Sequence, residues 1–274
     1  MQIDLTINTD LARTILTGFI KSEVTRAGFT RAVVGLSGGI DSALACVLAI
    51  EALGAENVLA VRMPYRSSAP DSLEHAQLII DQFHIPSETI EITPMVLPLS
   101  ERDPKMSKKR MGNIMARMRM VVLYDQSETF KGLVIGTGNK TEILLGYTTL
   151  WGDMASALNP IGDLYKTQVR QLSRALGVPV PIVNKPPSAD LWVGQTDEGE
   201  LGFTYEEVDK LLYLLVDGRY RPQECVEAGF DEKFVNAVAA RVQRNQFKRM
   251  MPLVAKLSNR TVGYDFLYLR DWGT

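Results

Sequence analysis

Three groups of residues in this chain have the types and spacing for phosphate chemistry. The first is Ser37-Gly38-Gly39-Ile40-Asp41-Ser42, directly behind the apolar run Ala32-Val33-Val34-Gly35-Leu36. Glycines let a backbone turn sharply and approach a ligand without an intervening Cβ. The free N–H groups of a following helix point at oxyanions, and the helix dipole favours negative charge there. Gly35, Leu36, Ser37, Gly38, Gly39, Ile40, Asp41 and Ser42 therefore form a candidate phosphate cradle. A Walker loop would end in a Lys-Ser/Thr pair. Here Asp41 takes that region, and a carboxylate beside a polyphosphate points to a bridging Mg²⁺. The second group is Thr137 and Glu142, flanking Gly138-Asn139-Lys140-Thr141. Glu142 opposite Asp41 gives two hard oxygen donors, as Mg²⁺-polyphosphate chemistry requires. The third is Lys166, at the start of a predicted helix, where the dipole disfavours a cation and an anionic partner would compensate. Read singly, these are a tight turn with a cap, a surface acid and an exposed lysine. Together they describe a nucleotide site.

Such residues need a scaffold that brings distant segments together. Strand-like runs at 32–36, 58–63, 88–92 and 133–136 alternate with helical patterns near 41–53, 69–84 and 113–130. An amphipathic lead-in helix is expected over 10–26, from Leu11, Ile15, Leu16, Phe19, Ile20 and Val24. The alternation predicts an α/β fold, a Rossmann-like doubly wound parallel sheet flanked by helices, with additional helices at both termini. Ligands bind such sheets outside the carboxyl ends of the strands, where the glycine loop sits. The polar, basic stretch from Pro98 to Gly112 reads as an exposed loop. Met111, Met115 and Met118 follow at helical spacing as a core or subunit face. The segment from Asn184 to Gly202, rich in Pro, Gly and Asp, is long enough to be a lid. Thr204 and Glu207 make a capping box for a helix through Val216, and Asp231 opens another towards Lys248. With no repeat and no low-complexity tract, residues 1–274 read as one domain.

Composition excludes several classes. Of 274 residues, 46% are hydrophobic and 23% charged, with a net charge of −2, so no basic field draws the chain onto nucleic acid. Two cysteines, Cys46 and Cys225, and two histidines, His75 and His84, leave no disulfide scaffold, no zinc cluster and no His-centred triad. The N-terminus lacks the pattern of a signal peptide and no apolar run has membrane-spanning length. A cytoplasmic protein without a membrane or nucleic-acid partner is expected.

The Ser37–Ser42 loop resembles that of the ATP pyrophosphatases, which cleave ATP between the α and β phosphates and transfer AMP. Downstream blocks narrow the likeness. They are Gly146-Tyr147-Thr148-Thr149-Leu150-Trp151-Gly152-Asp153, then Asn159 through Val169, then Lys185-Pro186-Pro187-Ser188-Ala189-Asp190-Leu191-Trp192, then Gln195-Thr196-Asp197-Glu198, and Leu201-Gly202-Phe203-Thr204-Tyr205. Together they are similar to the ammonia-dependent NAD synthetases over nearly the whole chain. The resemblance implies a ligase that amidates deamido-NAD with ammonia at the expense of ATP, releasing AMP and pyrophosphate. It implies ATP contacts from the Gly35–Ser42 loop, Thr137, Lys166 and Ser188, with Ser188 on a lid, and Mg²⁺ held by Asp41 and Glu142. It implies that Arg117 and Lys248 contact deamido-NAD, and that the helix bearing Arg117 belongs to a homodimer interface at which the substrate sits. The methionine stripe is then expected at that subunit contact. The chain departs from many family members at Leu150, Ala157 and Phe247, where they carry Lys, Asp and His near the deamido-NAD.

In the implied reaction, the nicotinate carboxylate attacks the ATP α-phosphorus and ammonia then displaces AMP. A carboxylate needs no strong base, only charge neutralisation and alignment, which agrees with the absence of a His-centred constellation. The second step needs NH₃, and Asp153 is the candidate to hold and deprotonate ammonium. Neither cysteine has the setting of a glutaminase nucleophile, so no glutaminase domain is expected. A tRNA-modifying pyrophosphatase would call for a basic surface. An ATP-sensing module would leave Glu142, Lys166 and the 188–198 loop without purpose.

Overall fold

Aliphatic runs without polar interruption form strands buried on both faces, which a parallel sheet requires. The computed structural model describes residues 3–188 and 196–266. Helix α1 (Thr9–Arg26) leads into strand β1 (Arg31–Gly35), and the phosphate-type loop joins it to α2 (Ile40–Leu53). Then come β2 (Val58–Arg62), α3 (Pro70–Phe83), β3 (Ser87–Thr89), α4 (Thr93–Ser100), α5 (Lys108–Phe130) and β4 (Gly132–Ile135). Short α6 (Lys140–Leu145) precedes α7 (Lys166–Ala175) and α8 (Val180–Val183). The rest is helical: α9 (Asp197–Leu201), α10 (Tyr205–Leu212) continued by a π turn over Tyr213–Asp217, α11 (Pro222–Glu227) and α12 (Glu232–Arg244). A 3₁₀ turn, Gln246–Arg249, follows.

The four strands lie in the order β3-β2-β1-β4, all parallel, with Val33 of β1 in register with both Leu59 and Val134. The chain moves outward from β1 through β2 to β3, then returns to the other side of β1. That reversal opens a crevice at the carboxyl ends of β1 and β4, the place where doubly wound sheets take ligands. The expected strand pattern holds, with β3 shortened to three residues. It is an edge strand, and beyond it the pairing becomes irregular, with the Ile92 N–H reaching the Pro64 carbonyl.

One face of the sheet is covered by α2, buried from Ala43 through Ala49, with α1 and α7 packed beside it. The other is covered by α5, whose Met115 and Val122 join Val33, Leu59, Val61 and Tyr65. A third cluster joins α10 and α12 to Leu145 and Tyr165. Cys46 and Cys225 are both fully buried.

Two expectations are sharpened. The methionine stripe packs on this chain's own core: Met115 is fully buried, and half-buried Met111 and Met118 pack against the same cluster. The 98–112 loop is confined to 101–107, because α4 runs to Ser100 and Ser107 caps α5 by accepting from the Arg110 N–H.

Candidate active site

The glycine loop is held in shape by its own hydroxyls. Ser42 Oγ accepts from the Ser37 N–H at 3.2 Å and donates to the Gly39 carbonyl at 2.9 Å. Gly38 has φ +79°, and a Cβ there would lie 2.1 Å from the carbonyl oxygen of Ser72. Only glycine combines that backbone angle with so close an approach. Gly39 caps α2 with no side chain of its own, which leaves the first-turn N–H groups facing the crevice.

Asp41 sits in that first turn. Its Oδ2 accepts from the ammonium of Lys166, and its Oδ1 accepts from Asn139 Nδ2 at 2.8 Å. Lys166 Nζ is also 3.4 Å from Glu142 Oε1 and stands over the Tyr205 ring, 5.2 Å from its centroid. Burial works to lower the Lys166 ammonium, but the charges of Asp41 and Glu142 outweigh it and hold the group above the usual lysine range. Burial, reinforced by the Asp41 charge, pushes the Glu142 carboxyl above its usual range, against the pull of Lys166. The site thus gathers two acids on one cation, each contributed by the start of a different helix.

Asn139 was quoted in the sequence only as part of the 138–141 run, with no role of its own. It is fully buried and bridges the two acids, donating to Asp41 while its Oδ1 accepts from the Glu142 N–H at 3.0 Å. Glu142 Oε2 answers by accepting from the Asn139 N–H, which completes a capping box. The Asn-x-x-Glu spacing is the signal that could have revealed it. Asp197 was quoted only as part of a motif. It is buried, accepts from the Tyr205 hydroxyl at 3.1 Å, and its other oxygen has no partner among the described residues. Burial raises its carboxyl too.

A cavity of about 1200 Å³ joins these groups. Gly35, Leu36, Ser37, Gly39, Ile40, Asp41, Ser42, Thr137, Glu142, Lys166 and Ser188 line it, as do Arg117, Asp153 and Lys248. Gly38 does not, because it faces the Ser72 carbonyl. Leu150 and Phe247 also line the cavity, whereas Ala157 does not. Residues 189–195, with most of the expected lid and the Asp190-Leu191-Trp192 block, lie outside the described residues.

Asp153 reaches the solvent filling the cavity, yet the enclosing protein raises its carboxyl, partly offset by the Thr149 N–H that donates to it at 2.7 Å and by Lys248. Lys248 donates to the carbonyls of Gly146 and Thr148 at 2.7 and 2.6 Å. Burial lowers its ammonium; Asp153 opposes this, and Lys109 and Arg241 add to it. Arg117 donates to the Leu150 carbonyl at 3.3 Å. Donors from the chain's far end close the carboxyl end of α6: Arg249 reaches the carbonyls of Ile143 and Leu144, and Arg241 and Asn245 both reach that of Leu145. Among the described residues no helix is long and apolar enough to cross a membrane.

Comparison with known proteins shows what the chain is similar to. The family model described as NAD synthase matches residues 13–252. The NH(3)-dependent NAD(+) synthetase of Trichlorobacter lovleyi is 57% identical over 269 residues, covering 98% of each chain. Among solved structures, NMN synthetase from Francisella tularensis superposes with a TM-score of 0.81 at 31% identity, over 92% of this chain and all of that one. The NH3-dependent NAD synthetase from Campylobacter jejuni, solved with a nitrate ion, gives 0.78 at 32% identity, over 91% of this chain and all of that one.

Proposed function

This chain belongs to the NAD synthase family, and from that premise we propose how its residues carry out the ATP-dependent amidation of deamido-NAD by ammonia to NAD. The observation that carries the reading is the convergence of Asp41, Glu142 and Lys166 at the carboxyl ends of β1 and β4, in one cavity with the glycine loop. The loop N–H groups and Lys166 bind the ATP phosphates, with Thr137 and Ser188 beside them. The nicotinate carboxylate, already ionised, attacks the α-phosphorus. Its P–O bond forms as the bond to the β-phosphate oxygen breaks, giving the adenylate and pyrophosphate. Lys166 neutralises charge on the reacting phosphates, and alignment supplies much of the rate. Ammonia then adds to the acyl carbon, AMP leaves with the C–O electron pair, and the added nitrogen gives up one proton to the departing AMP phosphate or to water. Asp153 takes the proton that converts ammonium to ammonia, and Arg117 and Lys248 hold the dinucleotide.

Asp41 and Glu142 fit Mg²⁺. They are hard oxygen donors that already share one positive charge, and Mg²⁺ characteristically takes one or two carboxylates, with phosphate and water completing its shell. When bound, the ion would neutralise phosphate charge. Residues 1–274 act as one catalytic unit, since the cavity draws its lining from both halves. A homodimer is supported by apolar side chains left exposed on adjoining helices, Met95 and Leu99 on α4 and Val121 and Tyr124 on α5. A cytoplasmic setting fits an ATP-consuming reaction and two buried free cysteines.

The test is an assay with ATP, Mg²⁺, ammonium and deamido-NAD. NAD, AMP and pyrophosphate are expected in equal amounts, and the absence of all three would overturn the reading. Nicotinate mononucleotide is the second substrate to try, because the Francisella structure bears the NMN synthetase name. Preferential amidation of the mononucleotide would move the substrate assignment. A glutamine arm reads the nitrogen donor.

A further inference from the structure

Helix α7 begins in an unusual way. Its cap residue, Tyr165, has no short polar side chain to satisfy the first-turn N–H groups, which a helix start ordinarily requires. Two of those N–H groups are satisfied from elsewhere in the chain. The Lys166 N–H donates to Thr141 Oγ1 at 3.0 Å, and the Thr167 N–H donates to Asp209 Oδ2 at 2.8 Å. Thr141 in turn donates its hydroxyl proton to Asp209 Oδ1 at 2.5 Å. Thr141 and Asp209 are both fully buried. The result is a closed ring linking the start of α6, the start of α7 and the middle of α10. The π turn that extends α10 adds a second strut: Asp217 accepts from the Tyr165 hydroxyl at 2.5 Å and from Lys140 Nζ at 2.8 Å.

The two helix starts tied by this ring carry Glu142 and Lys166, one residue from Thr141 and Thr167 respectively. Thr141, Thr167 and Asp209 do not line the cavity, so none of the three acts on substrate. We propose that Asp209, through Thr141, is a positioning residue for the amidation reaction, setting the distance between the Lys166 ammonium and the acids it serves. This rests on the roles given above to Lys166 and Glu142. The geometry explains why a carboxylate is buried here at all. An Asp oxygen pair can accept from an N–H and a hydroxyl at once, while its charge complements the positive start of α7. An Asn could still accept from the Thr167 N–H, but its amide N–H₂ would face Thr141 Oγ1, forcing that hydroxyl to turn its proton elsewhere in a buried site, and the negative charge at the start of α7 would be lost.

The experiment compares Asp209→Asn, Thr141→Val and Thr141→Ser with Asp231→Ala. Asp231 lies outside the ring and caps α12 by accepting from the Phe234 N–H at 2.9 Å. Three readouts are taken: thermal midpoint, steady-state kinetics with deamido-NAD, and hydrogen exchange at the Lys166 and Thr167 amides. Asp209→Asn and Thr141→Val are expected to lower kcat about 10- to 100-fold with KM for deamido-NAD changed no more than about twofold, since misplacement costs rate more than binding. The Lys166 and Thr167 amides lose protection in the same two variants. Thr141→Ser keeps the hydroxyl and restores both properties. Asp231→Ala lowers the thermal midpoint and leaves kcat alone. The proposal is overturned if folded Asp209→Asn and Thr141→Val keep kcat within about threefold of the parent, or if Asp231→Ala lowers kcat as they do. A parent protein that makes no NAD sinks the functional reading instead, and amide protection in the variants then decides the positioning role alone. Should Thr141→Val not fold, Asp209→Asn with Thr141→Ser gives the same comparison.

Discussion

Lys166 is almost entirely covered, and it keeps its charge there because Asp41 and Glu142 face it. Replacing it with methionine leaves two facing carboxylates without a counter-charge. Breaking a buried pair costs about 3–5 kcal/mol, and because both acids keep some solvent the low end, about 3 kcal/mol, is expected well above about pH 8. Lys166 holds the Glu142 carboxyl down, so removing it raises that group beyond the parent's value of about 8, and the variant takes up the proton at a higher pH than the parent. The deficit therefore shrinks as pH falls towards about 8. Urea unfolding of parent and variant at about pH 10 and about pH 7 checks this. Asp153 permits a similar argument with an activity readout. Its carboxyl is raised, so its ionised form costs folding stability at neutral pH and that cost vanishes as pH falls through the raised value. Asp153→Asn is therefore expected to melt higher than the parent at neutral pH and no higher in acid. It should also lose the acid-side limb of the amidation pH profile while still releasing pyrophosphate in a single turnover. A variant with unchanged ammonium dependence across pH would remove Asp153 from the proton-transfer role.

At the scale of elements, the glycine loop separates conformational from functional need. Gly38→Ala meets both a positive φ and the Ser72 carbonyl, so a loss of at least about 2 kcal/mol is expected, together with displacement of the loop. Gly39→Ala has an ordinary φ and no contact nearer than Ser37 Oγ at 3.4 Å, so it should fold like the parent and raise KM for ATP. Denaturation curves and ATP kinetics on the pair distinguish the two glycines. The sheet and the helices covering it were legible in the sequence, because uninterrupted aliphatic runs and helical periodicity come from local burial. The loop, Glu142 and Lys166 were legible by residue type and context. Asn139, Thr141 and Asp209 were not, because their roles come from pairing across 98, 68 and 42 residues of chain. An Asp inside a helical pattern carries no mark that it will cap another helix. The inward turn of Met111, Met115 and Met118 was also hidden. Periodicity says that one face of α5 is apolar, not whether its own sheet or a second subunit covers it.

For the whole molecule, the exposed apolar residues of α4 and α5 bear on assembly. Val121→Glu combined with Tyr124→Glu places two charges on the face proposed for a second copy. Sedimentation is expected to change from dimer to monomer, with a rise in KM for deamido-NAD if the substrate lies between subunits. A parent that sediments as a monomer would refute the dimer. The fold itself should survive, since neither side chain is buried.

Helix α6 is only six residues long, and its far end is closed by donors from residues 241–249. This has a consequence for synthesis on the ribosome. The glycine loop emerges about two hundred residues before Arg249, and a nascent chain could present it to ATP early. The carbonyls of Ile143, Leu144 and Leu145 gain these partners only when residues 241–249 have been made, so the far end of α6 completes its hydrogen bonding late in translation.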